Sequence, residues 1–376
     1  MTITIERDAL LAALHHAAGA VASRNTIPVL ANILIEAEGA DFLVTGSDLD
    51  IYVTQRADME PAESRFATTV SAIKLVGAVQ SLKPGKIKIE RGAAGAVTLR
   101  QSRSVRTMAV IPATDYPKPD EEAVRCSFSL PAPALLRMLG VPSLAVSTDE
   151  TRYYLNGVFL QVEAGRLNAA ATDGIRLIRA DMAVPDGAER LPDGGVIIPS
   201  KTIKLLVKAL AKGDGAVQIS VGDRRARFEF GDSVVVSKLV EGTYPAYQRV
   251  IPADGSHVIR IARDALIEPV SAVQAIIEAE GKDRLRAVAI VLGATDADHE
   301  VTSRDTSGAL ASEPLDAEVE GGAFSIAFAG QLFAGLAGIF AESGKLTVRV
   351  SDAGAAAKIT SDKDPDLIAV MMPRRI

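Results

Sequence analysis

Three stretches of this chain present the same local pattern in the same order, about 125 to 131 residues apart, and that repetition limits the folds open to it more than any single motif. Alternating apolar residues at Ile3/Ile5, Phe128/Leu130 and Ile259/Ile261 each lead into a helix-like run: ALLAAL from Ala9, ALLRML from Ala134 and ALIEPV from Ala265. An acidic turn follows in every copy, with Asp48 in TGSDLDIYV, Asp173 in ATDGIRLIRA and Asp305 in TSRDTSGALA. Tyr116-Pro117 and Tyr244-Pro245 close the first two copies, and Met372-Pro373 stands in the same register of the third. A period this long exceeds the unit of a solenoid array, so it predicts three whole domains. The joins are expected in ATDYPKPDEEAV (residues 113–124) and VIPADGSHV (residues 250–258), giving domains 1–124, 125–254 and 255–376.

Within each copy the patterning alternates between two periods. Leu10, Leu14 and Ala17 share one helical face, as do Leu135, Leu136 and Leu139, whereas KIKIE, AVTLR and VQISVGDRRARFEF alternate with a period of two. The expected class is therefore α+β: three tandem like domains, each with two helices packed on antiparallel sheets. A hydrophobic content of 48% over 376 residues supports a core in every copy. No run reaches the 18 or so uncharged apolar residues of a membrane span, and the N-terminus lacks a basic region followed by an apolar stretch, so a cytoplasmic protein is expected. Cys126 is the single cysteine, which excludes an intrachain disulfide and a cysteine-based zinc site and leaves a buried filler as its expected role.

Charge says more when it is located than when it is summed. The formal net charge of −6 argues against binding nucleic acid by bulk positive charge, and an aromatic fraction of 4% without tryptophan offers few platforms for stacking unpaired bases. Yet in PSKTIKLLVKALAKGDG the residues Lys201, Lys204, Lys208 and Lys212 are spaced three, four and four apart. On a helix they form one basic stripe, with Ile203, Leu206, Val207 and Leu210 on the other side. Like charges at that spacing repel by a few tenths of a kcal/mol, roughly, per pair. Either a polyanion compensates them or the stripe is a solvated face with no partner, and the helix alone leaves both readings open. The matching segment of copy one carries Lys74, and that of copy three has no basic residue before Lys345.

Enzymatic signatures are missing from the chain. His15, His16, His257 and His299 show no paired-ligand spacing, and no nucleophile elbow, phosphate loop or dinucleotide fingerprint occurs at a strand-to-helix junction. Asp48, Asp50, Asp173 and Asp305 recur in register, which suits turns that need the same residue every time better than an active site needing one asymmetric pair. No catalytic residue, metal site or cofactor is expected.

Several strings in order carry a family resemblance: NTIPVLANILIEAEG (Asn25 to Gly39), TRYYLNGVFL (Thr151 to Leu160), ATDGIRL (Ala171 to Leu177), SKLVEGTYPAYQRVIP (Ser237 to Pro252) and the terminal VMMPRRI. The chain resembles the bacterial sliding clamps, the beta subunits of DNA polymerase III. The resemblance implies a head-to-tail homodimer closed into a ring of six like domains, with helices lining the hole and duplex DNA threaded through it. It further implies the DNA polymerase III catalytic subunit, the clamp loader, and translesion and repair polymerases as partners, the polymerases docking through short linear peptides. By position it assigns a DNA contact to Arg24 and places Lys201 in a helix segment that carries inward basic residues, and with the rest of the stripe and its counterpart in copy one the expected DNA-binding set is Arg24, Lys74, Lys201, Lys204, Lys208 and Lys212. A peptide pocket falls on Leu155, Thr172, Gly174, Arg176, Leu177 and Pro245, together with Arg249, Val250, Val370, Met372, Pro373 and Ile376. The subunit junction falls on Arg103, Met108, Ile276 and Ile277. Three departures stand out: Ile175 replaces the histidine of the family's TDGHRL, Arg374 replaces an apolar tail residue, and the third-domain glutamates are thinned to Glu313 and Glu318. They leave open a specialised second clamp, or a clamp-like module that binds polymerase peptides without encircling DNA.

Overall fold

The computed structural model describes residues 2–21, 26–92, 95–211, 213–253, 255–276, 287–304 and 308–374. Among these, one order of elements recurs three times: a strand, a helix, several strands, a second helix and three closing strands. The helices are α1 (Arg7–Ala18) and α2 (Ala72–Gln80), then α3 (Ala132–Leu135) and α4 (Ser200–Leu210), then α5 (Arg263–Ile276) and α6 (Gly330–Ala337). Mixed helices and antiparallel strands establish the α+β class. No helix among the described residues is long and apolar enough to cross a membrane.

Copy two departs from its expected first helix. The α-helical part of ALLRML ends at Leu135 and continues as a π-turn over Leu136–Gly140, followed by a 3-10 turn at Pro142–Ala145. The sequence explains the shortening. Gly140 carries the highest backbone entropy cost in a helix and Pro142 bars continuation, whereas Pro133 stands in the first turn, where its missing N–H breaks no intrahelical bond. By contrast α5 tolerates Pro269 inside a fourteen-residue helix at the cost of one backbone hydrogen bond.

Packing divides the chain into two units: residues 1–136 with 185–241, and residues 137–184 with 242–376. In the first, Leu10, Leu14 and Ala17 of α1 and Leu75 and Val79 of α2 are buried together with the inward residues Ile3, Ile5, Ile87, Ile89, Val97 and Leu99 of the strands beneath them. The period-of-two segments are strands as expected, Lys86–Arg91 and Ala96–Gln101, paired antiparallel with Ile89 opposite Leu99. The long strand Ile51–Ser71 of copy one pairs along Ile51–Gln55 with Ser233–Lys238 of copy two, Val53 facing Val235. One sheet thus runs from copy one into half of copy two. Cys126 is buried at the start of its strand, and burial pushes its thiol pKa up, as a filler's should be.

The second unit repeats the device. Arg176–Ala183 of copy two pairs antiparallel with Leu367–Met371 of copy three, Ile178 opposite Ala369. Near the far end of that pairing Arg137 donates from Nε to Asp366 Oδ2 at 2.8 Å and from Nη2 to Asp364 Oδ1 at 2.7 Å. The Arg137 hydrogen bond holds the Asp366 carboxyl below the usual carboxylate range, with burial opposing it. α5 packs against α6 here as α1 does against α2 in the first unit. Repeat boundaries and packing boundaries differ because copy two gives strands to both units.

A basic helix face and an apolar pocket

In α4 the residues Thr202, Ile203, Leu206 and Leu210 are buried while Lys201, Lys204 and Lys208 are exposed, so the stripe faces solvent. Val207, expected among the packed residues, is 38% exposed. At about 100° per residue it lies about 60° from Lys204, on the margin of the basic face rather than opposite it.

The lysines are not equivalent. Lys201 Nζ is bonded to Asp48 Oδ2, and Asp48 is the turn carboxylate of copy one. Its other oxygen, Oδ1, accepts from the N–H groups of Asp50 at 3.1 Å and Ile51 at 2.8 Å, an Asx turn. Asp173 repeats the arrangement: Oδ1 accepts from Ile175 N and Arg176 N, each at 2.9 Å, and Oδ2 accepts from Arg176 Nε at 3.0 Å. The recurring aspartates are structural in these two copies; Asp305 lies outside the described residues. The residue after each aspartate takes a positive φ, 91° at Gly174 and 79° at Leu49, so copy one places a leucine where the geometry favours glycine. Lys204 and Lys208 have no ion pair among the described residues. Lys74 is exposed on α2 beside Ile73, itself 83% exposed. Arg24 and Lys212 lie outside the described residues.

The second unit holds a cavity of about 220 Å³. Copy two contributes Leu155, Thr172, Gly174, Arg176 and Leu177 and, from its closing segment, Pro245 and Val250, and copy three contributes Val370 and Met372. Nine of the twelve residues assigned to a pocket from the sequence line this one cavity. Arg249 and Pro373 do not line it, and Ile376 lies outside the described residues. Ile175, Ala246 and Tyr247 line it without having been in that set. Ile175 stands at the departure in ATDGIRL, and Tyr247 sits in the YPAYQRV string, so the signal lay in residues beside the chosen ones.

Local bonds fix the walls. Tyr244 stacks on Phe159 with centroids 4.8 Å apart, and Tyr247 meets both rings edge-on. The Tyr244 hydroxyl accepts from Thr172 N at 3.0 Å, and burial pushes its pKa up, keeping it a neutral phenol. Thr172 Oγ1 donates to Arg176 O at 2.7 Å, tying the turn that carries Gly174 and Ile175. A Cβ at position 174 would stand 3.0 Å from the mobile end of Arg152, Nη1, so it is the positive φ of 91° that opposes a side chain there. The tail is pinned too: Met372 N donates to Ile175 O at 2.8 Å and Arg374 N to Ala327 O at 2.7 Å.

Of the residues assigned to a subunit junction, Arg103 is exposed at a hairpin turn. Met108 is 7% exposed and belongs to the core under α1 and α2, because the period of two turns it inward and Val105 outward, a correction to its expected surface role. Ile276 ends α5 with its side chain outside the described set, and Ile277 lies outside it altogether.

Repeated α+β modules that present a lysine face and a peptide-sized apolar cavity define a binding scaffold. Residues 1–120 match the model of the DNA polymerase III beta subunit N-terminal domain, and residues 129–246 match that of its central domain. The beta sliding clamp of Caulobacter vibrioides is 32% identical over 382 aligned positions covering all of both chains. A solved sliding clamp from Caulobacter crescentus superposes over all of both chains with a TM-score of 0.92 and 31% identity. One from Bartonella birtlesii, solved bound to griselimycin, gives the same coverage, identity and TM-score. The chain belongs to the beta sliding clamp family, the beta subunits of DNA polymerase III.

Proposed function

We propose that this chain is a DNA sliding clamp: a homodimeric ring that surrounds duplex DNA and keeps polymerases on it through a peptide pocket. The observation that carries the reading is the superposition on the Caulobacter crescentus clamp across the entire length of both chains. A family member that had lost ring-forming parts would be expected to lose coverage somewhere, so the reading as a docking module that does not encircle DNA is not favoured. The three-domain division at 124/125 and 254/255 goes with this proposal.

Each part has a physical rationale. Lys204 and Lys208, with Lys201, Lys74, Arg24 and Lys212, supply sequence-blind attraction by counterion release, while enclosure supplies retention. Weak contacts suit sliding, because tight ones would stall it. The cavity of about 220 Å³ is smaller than the roughly 300–1,000 Å³ typical of small-molecule sites and suits a few side chains of a linear segment. Its occupants are the DNA polymerase III catalytic subunit, the clamp loader, and translesion and repair polymerases. The role is non-catalytic and cytoplasmic, and Arg103 with the Ile276-Ile277 pair belongs to the subunit junction. The test is retention: protein loaded on circular duplex should stay bound through washing and leave once the circle is cut. Equal retention on linear and circular DNA would overturn enclosure.

A further inference from the structure

The cavity of the second unit has a counterpart within the first, built on the same frame. Asp48 and Asp173 close like turns, their N–H groups donating to Ile51 O and Arg176 O at 3.3 Å in both. The strand beside each turn is fastened in one way: Lys238 N donates to Asp50 O at 2.7 Å, as Met372 N donates to Ile175 O at 2.8 Å. Pro117 and Pro245, which follow the buried Tyr116 and Tyr244, each line one of the two cavities. The counterpart measures about 520 Å³ against about 220 Å³, room for a larger side chain and its neighbours. Its walls differ in kind. Lys118 stands at the position of Ala246 and Lys238 at that of Met372, and with Arg224 and Arg225 they outnumber the carboxylates, Asp120 and Glu241. Arg225 donates from Nη2 to Asp120 Oδ2 at 3.0 Å, yet its Nη1 is buried without a hydrogen-bond partner among the described residues. Arg224 is exposed and has no ion pair among the described residues. Apolar surface remains as well, from Leu49, Tyr52 and Leu239. Leu49 holds its place at a φ of 79°, which opposes a leucine, and such positions persist where the surroundings over-determine them.

We propose that this cavity is a second docking site, taking a linear segment of a partner protein in which a large apolar side chain is flanked by carboxylates. The class of occupant follows from the shared frame, so the proposal rests on the cavity of the second unit docking peptides; the charge of the walls decides the rest. The apolar side chain covers Leu49 and Leu239. A flanking carboxylate answers Arg224, the cation without a partner. Another reaches Lys118 or Lys238, whose own ion pairs, with Glu36 at 3.4 Å and Asp50 at 2.7 Å, are open to water and of little strength. A segment with basic flanks would instead meet four like charges around one mouth.

The test uses the full-length chain and two labelled peptides, one alternating Glu with Leu and one alternating Lys with Leu, each carrying a photoreactive phenylalanine. Anisotropy gives the affinities and mass spectrometry maps the cross-links. The Glu/Leu peptide should cross-link to residues 117–120 or 238–241, which line the cavity, and bind more tightly than the Lys/Leu peptide. Lys118→Gln combined with Arg224→Gln should weaken it about five-fold, the worth of two exposed ion pairs. Leu49→Gly suits the φ of the turn and should weaken it by about as much, through lost apolar cover. Cross-links confined to Ile175 and Met372 would overturn the proposal, as would equal binding of the two peptides or an unchanged affinity in the Lys118/Arg224 variant. A neutral Leu-rich peptide that failed to cross-link to Ile175 or Met372 would instead overturn the docking role of the second unit's cavity, so the two failures are told apart.

Discussion

Asp48→Asn is the most informative single change in the proposed DNA face. Lys201 is held by Asp48 Oδ2, so one positive charge of the stripe is cancelled before any phosphate arrives. Asparagine keeps the Oδ1 acceptor that closes the turn onto Asp50 N and Ile51 N, but it removes the charge and turns an N–H group toward the ammonium. Lys201 is then free to reach DNA. Each phosphate neutralised adds about 0.9 to the slope of log K against log salt, so between 50 and 200 mM salt the variant's affinity should fall about three- to four-fold further than wild type's. At the lowest salt it should bind more tightly than wild type. Lost pairing costs roughly 1 kcal/mol of stability or less, since Lys201 is half exposed. The assay is anisotropy of labelled duplex across a salt series, with thermal unfolding as a folding control. A slope equal to or shallower than wild type's in a folded variant would refute the reasoning.

Replacing both Lys204 and Lys208 with Ala should lower the same slope by about 1.8 while peptide affinity stays unchanged; an unaltered slope would take them off the DNA face. Tyr244→Phe deletes the acceptor of Thr172 N and should cost about 1–3 kcal/mol in urea unfolding, with weaker peptide binding, because the unpaired N–H sits in a cavity wall. For Asp366 the folded pKa lies below the unfolded value of about 3.9, so its contribution is complete above that pH and is lost as pH falls through the folded value. The stability gap between wild type and Asp366→Asn should therefore be constant near neutral pH and close in acid; a gap that widened there would reverse the assignment.

Much of the fold was legible because its signals are local and repeated. The amphipathic pattern of Leu10, Leu14 and Ala17 and the alternation in KIKIE depend on nothing beyond the chain itself, and both took the expected form. Copy two's first helix was misread because apolar spacing in ALLRML resembles helix while Gly140 and Pro142 limit how far one can run. Strand pairing between copies left no trace in the pattern: Val53 and Val235 each look like any inward residue, and nothing in periodicity says which other strand they face. The pairing of Lys201 with Asp48 was hidden for the same reason, since it joins residues far apart in sequence. The pocket was legible only through family resemblance, because Leu155, Leu177 and Val370 by themselves read as ordinary core.

Sheets that pass from one copy to the next make the repeats poor candidates for separate life. A cut at the end of copy one would strip Ile51–Gln55 of Ser233–Ser237 and bare a row of peptide N–H and C=O groups along an apolar strand. Such an edge recruits any strand that comes near. Liberated modules are thus inclined to clump, and the cooperative blocks that melt together should follow the shared sheets, each holding part of copy two, instead of the threefold repeat written in the primary structure.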